Sequence, residues 1–250
     1  MISFQEEFSE LAPLQSFDAK AFEGDENVPQ DVCNLVLALS LAYNDCKDLY
    51  YIYLLLKDNK PEGKPKKHRI WGTYFGMSNH ILRLHAGFAN ELLNLIRDSK
   101  DAVTHPFFKS VIQAMPREAR QAWNSIEKAA LEDKATNQLG KFLVLIRNKV
   151  SYHYDPDEIQ RGYKHCFIDP NKQNQIPLVS LGSSIRDTRF YFSDAAGESY
   201  IELLPNRMGL SLTTTQIAEM INATSKSLMY LVGRYLQKRK YSVKDYPEEL

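Results

Sequence analysis

The chain has 250 residues, which is enough for one sizeable domain with a buried core. Its 31 basic and 31 acidic residues give a formal net charge of zero, so no overall field draws the protein to nucleic acid or to an anionic membrane. The three cysteines are an odd number without a close pair, which argues against a disulfide framework and favours a reducing cytoplasm.

The first third of the chain predicts one long helix followed by a polar loop. The N-terminal residues contain early acids and no long apolar run, so we expect no signal peptide. A core helix is predicted over 29–57, where Pro29 suits the helix start. Its apolar runs are shorter than the roughly 20 residues of a membrane span, so we expect no membrane insertion. The lysine- and proline-rich segment 57–69 is predicted to be a solvated loop.

A second long helix is predicted over 70–98, with apolar residues at three-to-four spacing on one face. His85 falls inside this stripe, and His80 lies about 140° away around the helix, so the two imidazoles cannot converge on one metal ion. We therefore predict a hydrogen-bonded core histidine at position 85 and no metal site.

Shorter helices are predicted over 105–115 and 116–132, and a helix with one apolar face over 137–152. Another helix starts at Asp155, which can cap it, with Glu158 at the spacing of a capping box. The carboxylates of this segment therefore have a structural role without a metal ion.

The C-terminal third is predicted to contain a hairpin and a final helix. A polar, proline-bearing connection over 167–187 leads to two β-rich runs, with Asp194 and Gly197 at positions that a type I turn favours. We predict a β-hairpin insertion over about 187–204 and a C-terminal helix over 213–240. The fold class is therefore mainly α, in a single domain over 1–250.

The segment RNKVSYHY, residues 147–154, supplies the strongest functional signal. It ends an apolar helical pattern and combines Arg147, a polar residue at Asn148 and, after five intervening residues, His153. This arrangement resembles the signature of the HEPN superfamily (higher eukaryotes and prokaryotes nucleotide-binding), whose motif lies near the end of an apolar helix. The resemblance implies a HEPN-like helical bundle over about 29–166 together with the C-terminal helix, and the hairpin near 188–204 as an addition.

The resemblance implies metal-independent RNA cleavage without a cofactor, in a homodimer whose two motif helices form one composite site. The side chains suit that chemistry. His153 can exchange a proton with a 2′-hydroxyl or a leaving 5′-oxygen near neutral pH. Arg147 can stabilise charge on a phosphorane, and Asn148 can hold a phosphate oxygen or orient the histidine. Tyr154 either packs against the next helix or stacks on a base.

Helix geometry sets a condition on this site. On a straight α-helix Arg147 and His153 would lie about 120° apart around the axis and about 9 Å apart along it. They meet only if the helix distorts or ends before His153, or if a second subunit completes the site. A helix end there would place His153 at the negative end of the helix dipole, which predicts a raised pKa for its imidazole.

Several interpretations remain open from the sequence. The protein is an endoribonuclease, in a toxin or phage-defence setting with an antitoxin or regulatory protein as partner, or a non-catalytic module that binds nucleotide, RNA or a partner protein. A self-associating helical scaffold is a third class. In the plainest interpretation Arg147 and Asn148 belong to a solvated face and His153 is a packing or capping residue.

Overall fold

The computed structural model describes residues 14–63, 69–132, 137–151, 154–170, 176–184, 188–208 and 214–245. Within these ranges the chain is mainly α-helical, which confirms the predicted fold class. The helices are α1 Gln30–Asp58, α2 Arg69–Asp98, α3 Lys100–Thr104, α4 Pro106–Gln113, α5 Arg117–Leu131, α6 Gln138–Ile146, α7 Pro156–Phe167, α8 Tyr191–Met208, α9 Thr214–Leu228 and α10 Leu231–Lys238. The short strands β1 (Gln15–Ser16) and β2 (Lys244–Asp245) pair antiparallel, so the two ends of the described chain meet.

Helix α2 is the central element of the fold. It packs against α1, α5, α6, α8 and α9. Its predicted apolar stripe is buried at Ile81 and Leu92 but exposed at Ile70 and Met77 near the N-terminal end, and the neighbouring Leu93 and Ile96 also lie in the core. Functional side chains on its other faces are therefore presented by a rigid helix.

Helix α1 is buried in its first half and partly exposed in its second. Val32, Leu35 and Leu39 are in the core, whereas Ile52 and Leu55 have half or more of their surface exposed. Within the described ranges, no helix combines the length and apolar character that crossing a bilayer requires.

The predicted β-hairpin near 188–204 is wrong, because Tyr191–Met208 forms helix α8. Ala196 and Tyr200, four residues apart, are buried on one face of this helix against α7. A Cβ atom at Gly162 of α7 would collide with the carbonyl oxygen of Ala196. Close packing of the two helices therefore overrides the local β-propensity of the aromatic and branched residues in this segment.

The single C-terminal helix predicted over 213–240 is instead two helices, α9 and α10, separated at Met229 and Tyr230. Position 213 lies outside the described residues. Before the break, the buried hydroxyls of Thr224 and Ser227 donate to the carbonyl oxygens of Met220 and Thr224, at 2.8 and 3.1 Å. Such side-chain bonds to a helix's own backbone bend or weaken it, and after the break α10 packs on α4.

Candidate functional site

The predicted motif begins where the chain changes its helical winding. Helix α6 ends at Ile146, and Arg147–Ser151 continues it as a π-helical turn, which we call the motif turn. A π turn closes hydrogen bonds between residues five apart and is frequent at functional sites. A distortion before position 153, one of the alternative conditions under which Arg147 and His153 could meet, is therefore present at 147–151, and straight-helix geometry does not describe this segment.

Arg147 is held by a carboxylate of α2 and by its own neighbour. Its Nε lies 2.8 Å from Oε1 of Glu91, and its Nη1 donates to Oδ1 of Asn148 at 2.9 Å. The Arg147 and Glu91 side chains are 35% and 54% exposed as a whole, but the Nε atom of Arg147 that faces Glu91 is buried. An anion that binds Arg147 therefore has to compete with Glu91, while Asn148 fixes the orientation of the guanidinium.

The other two predicted site residues have different outcomes. His153 lies outside the described residues, so its position relative to Arg147 and its pKa stay predictions. Tyr154 is 71% exposed and therefore does not pack into the core. An exposed phenol ring beside the motif is available to stack on a base.

The described residues on either side of 152–153 are anchored. Ser151 Oγ donates to the carbonyl oxygen of Arg83 on α2 at 3.1 Å. Asp155 N donates to the carbonyl oxygen of Lys149 at 3.0 Å, and Lys149 Nζ lies 2.6 Å from Oδ2 of Asp155. Oδ1 of Asp155 also accepts from the backbone N–H groups of Asp157 and Glu158, which confirms the predicted cap of α7.

Replacing Asp155 by alanine is expected to lower the thermal unfolding midpoint at neutral pH. The Lys149 ammonium and the backbone N–H of Glu158 lower the pKa of the Asp155 carboxyl below its ordinary value of 3.8. The stabilisation is therefore present above that value and is lost as the pH falls through the lowered pKa. Calorimetry of both proteins between pH 7 and pH 3 should show the difference shrinking below about pH 4. The control Asp157→Ala, at an exposed position of the same turn, should show a smaller change, and equal losses for both variants would contradict the cap.

A basic group that the sequence analysis missed lies beside the motif turn. Arg83 is half-buried, and its Nη2 is 3.5 Å from Nδ1 of His80. Burial lowers the pKa of Arg83, and Asp194 and Tyr154 act electrostatically in the opposite direction. Asp194 is itself paired with Arg189 at 2.9 Å, and no carboxylate of the described chain forms an ion pair with Arg83. The motif turn therefore borders a cation of α2 in addition to its own Arg147 and Lys149.

His80 and Arg83 were not predicted as residues of the site, because their proximity to the motif depends on tertiary packing. Their three-residue spacing on α2 was visible, but position 151 lies 68 residues beyond Arg83. In the ranges that the structure describes, no three His, Cys, Asp or Glu side chains are grouped to hold a metal ion.

Comparison of the chain with protein-family models, with curated proteins and with solved structures found no match in any of the three. The HEPN resemblance therefore depends on residues 147–153 and their helical context.

Proposed function

We propose that this chain is a metal-independent endoribonuclease of HEPN type, located in the cytoplasm. The observation that carries the proposal is the change from α to π winding at Arg147, at the end of the apolar helix α6. Straight α-helical geometry, which would keep an arginine and a histidine six positions apart from acting on one phosphate, therefore does not apply at the start of this segment. The exposed ring of Tyr154 and the partly open Arg147 support a site at the surface.

The proposed reaction is an attack by the RNA 2′-hydroxyl on the adjacent phosphorus atom. The 5′-oxygen leaves, and the products carry a 2′,3′-cyclic phosphate and a free 5′-hydroxyl. His153 exchanges a proton with one of these two oxygens, and Arg147 stabilises the charge on the phosphorane. Asn148, bonded to Nη1 of Arg147, keeps the guanidinium oriented.

We further propose that the working unit is a homodimer whose two motif turns face one cleft. A second copy supplies the proton-transfer partner that a single turn lacks, because one imidazole cannot serve both oxygens at once. In a toxin or phage-defence setting, an antitoxin or regulatory protein would restrain this activity. Analytical ultracentrifugation tests the dimer directly, and a monomer at micromolar concentration argues against the composite site.

The cleavage test uses the purified chain and a single-stranded RNA in buffer with EDTA. We expect fragments with 5′-hydroxyl ends, which polynucleotide kinase labels without prior phosphatase treatment. Arg147→Ala should abolish cleavage, whereas Arg161→Ala, a control on α7, should retain it. Cleavage that persists in Arg147→Ala overturns the proposed role of the motif.

Neutralising Glu91 is expected to strengthen RNA binding. Oε1 of Glu91 lies 2.8 Å from Nε of Arg147, so Glu91→Gln removes a negative charge that repels a phosphate at this guanidinium. Exposed ion pairs contribute about 0.2–1 kcal/mol, which corresponds to a decrease in Kd of about 1.4- to 5-fold. Fluorescence anisotropy with a labelled RNA measures this change, and Glu219→Gln on α9 is the control. Unchanged or weaker binding by Glu91→Gln, relative to that control, contradicts the competition.

The ion pair with Glu91 also favours a second candidate, a non-catalytic module that binds nucleotide, RNA or a partner protein. In that case the ion pair gives Arg147 a structural role in place of a catalytic one. The zero net charge also fits a protein without a broad RNA-binding surface. Saturable RNA binding without cleavage at any pH between 6 and 9 favours this second function.

A further inference from the structure

A second candidate site lies in a cavity between α1, α2 and α9. Its volume is about 660 Å³, within the range of about 300–1,000 Å³ that small-molecule sites occupy. Ile81, Leu82 and Ile221 form apolar walls, and the cavity is also lined by Tyr50, Tyr53 and His85.

His85 is the buried polar residue of the lining, whose other polar members Ser78, Thr215, Asn222 and Ser225 are exposed or half-buried. The imidazole is 8% exposed, and its Nε2 is buried without a hydrogen-bond partner in the described part of the chain. The prediction of a core position is thus confirmed, but its predicted hydrogen bond is not observed. Burial lowers the pKa of His85, so the ring is neutral near pH 7. Because Nε2 itself has almost no accessible surface, a ligand in the cavity meets the imidazole at its other ring nitrogen, Nδ1.

The lining also defines the charge and shape of a suitable ligand. Among the described residues, no Asp, Glu, Lys or Arg side chain lines the cavity, so a charged ligand would enter without a counter-ion. The rings of Tyr50 and Tyr53 have centroids 6.4 Å apart at an angle of 33°, and they are 48% and 40% exposed. Partly exposed aromatic rings favour contact with another flat ring.

We propose that this cavity binds an uncharged, flat aromatic molecule whose polar edge forms a hydrogen bond with the His85 imidazole. The site is distinct from the motif turn. Glu91, the partner of Arg147, lies six residues after His85 and therefore about 120° around α2. The proposal thus holds or fails independently of RNA cleavage.

The test compares two compounds of nearly identical shape, benzimidazole and indene. Isothermal titration at pH 7.5, where benzimidazole is neutral, should show saturable binding of both. Benzimidazole should bind about three- to tenfold more tightly, because it alone offers ring nitrogens to His85. In His85→Phe, which keeps a ring of similar size, this preference should disappear. Equal affinities in the unmodified protein, or a preference that survives in His85→Phe, overturn the role of His85.

A blocking variant locates the binding site. Ala218 is an exposed residue of α9 that lines the cavity, so Ala218→Trp places an indole in the space without altering the core. We expect at least tenfold weaker binding of benzimidazole. Glu219→Trp, at an exposed neighbouring position outside the lining, is the matched control and should bind as the unmodified protein does. No saturable binding of benzimidazole to the unmodified protein, or equal binding by both tryptophan variants, overturns the proposal.

Discussion

Replacing His153 by asparagine is expected to lower the rate of RNA cleavage by about 10²- to 10⁴-fold, the usual contribution of a positioned proton-transfer group. Asparagine keeps a polar side chain at position 153 but cannot exchange a proton near neutral pH. RNA affinity should change much less than the rate, because Arg147 and Tyr154 remain. Single-turnover cleavage in EDTA, with excess protein over a labelled RNA, measures the rate without product release.

His105 provides the matched control for this substitution. Its Nδ1 accepts the backbone N–H of Phe107 at 3.2 Å and thereby caps α4. Asparagine is a favourable capping residue, so His105→Asn removes an imidazole while it retains the cap. This variant should cleave at the unmodified rate. A normal rate in His153→Asn, or equal losses in both variants, contradicts the proposed role of His153.

Adding one methyl group at Gly162 is expected to reduce the free energy of unfolding by about 1–3 kcal/mol, the usual cost of overpacking a tight interface. Gly162 lies on α7, and a Cβ atom there would collide with the carbonyl oxygen of Ala196 and approach the backbone nitrogen of Tyr200 to 3.0 Å. Backbone atoms cannot move aside as a flexible side chain does, so α7 and α8 have to separate. Urea denaturation of Gly162→Ala measures the loss.

Gly233→Ala gives the opposite expectation for the same chemical change. Gly233 lies in α10, and a Cβ atom there would meet no other atom within 4 Å. Alanine should therefore stabilise the helix by about 0.5–1 kcal/mol through its higher helix propensity. If Gly162→Ala is as stable as Gly233→Ala, then α8 does not pack on α7 as a helix in the way described.

Helices with a clear apolar stripe were predictable from the sequence. For α2 the spacing of apolar residues predicted bounds within one residue of those observed, because apolar residues recur at helical spacing along its length and are buried from Gly76 to Ile96. Segment 191–208 has no such clear apolar stripe. Its aromatic and branched residues favour a strand locally, whereas Gly162 and Ala196 allow two backbones to approach closely. That approach is a tertiary property, and no local pattern in the segment encodes it.

Only those contacts of the candidate site that join residues close in sequence were predictable. Arg147 and Asn148 are adjacent in sequence, and the Asp155 cap follows from local spacing. Glu91 and Arg83 reach the motif turn from α2, 56 and 68 residues earlier, so only the packing of α2 against the turn brings them there. The pairing of Arg147 with Glu91 changes the mechanism, because it gives the phosphate a competitor that the motif alone does not suggest.

The most direct test of the proposed function is a crystal structure of the chain with an RNA that carries a 2′-deoxy nucleotide at the cleavage point. Without the 2′-hydroxyl the RNA binds but cannot react. We expect the Arg147 guanidinium and a His153 imidazole, from the same subunit or from its symmetry mate, each about 3 Å from oxygens of one phosphodiester. Side chains that point away from each other, with neither lining the cleft that holds the RNA, would contradict the nuclease proposal.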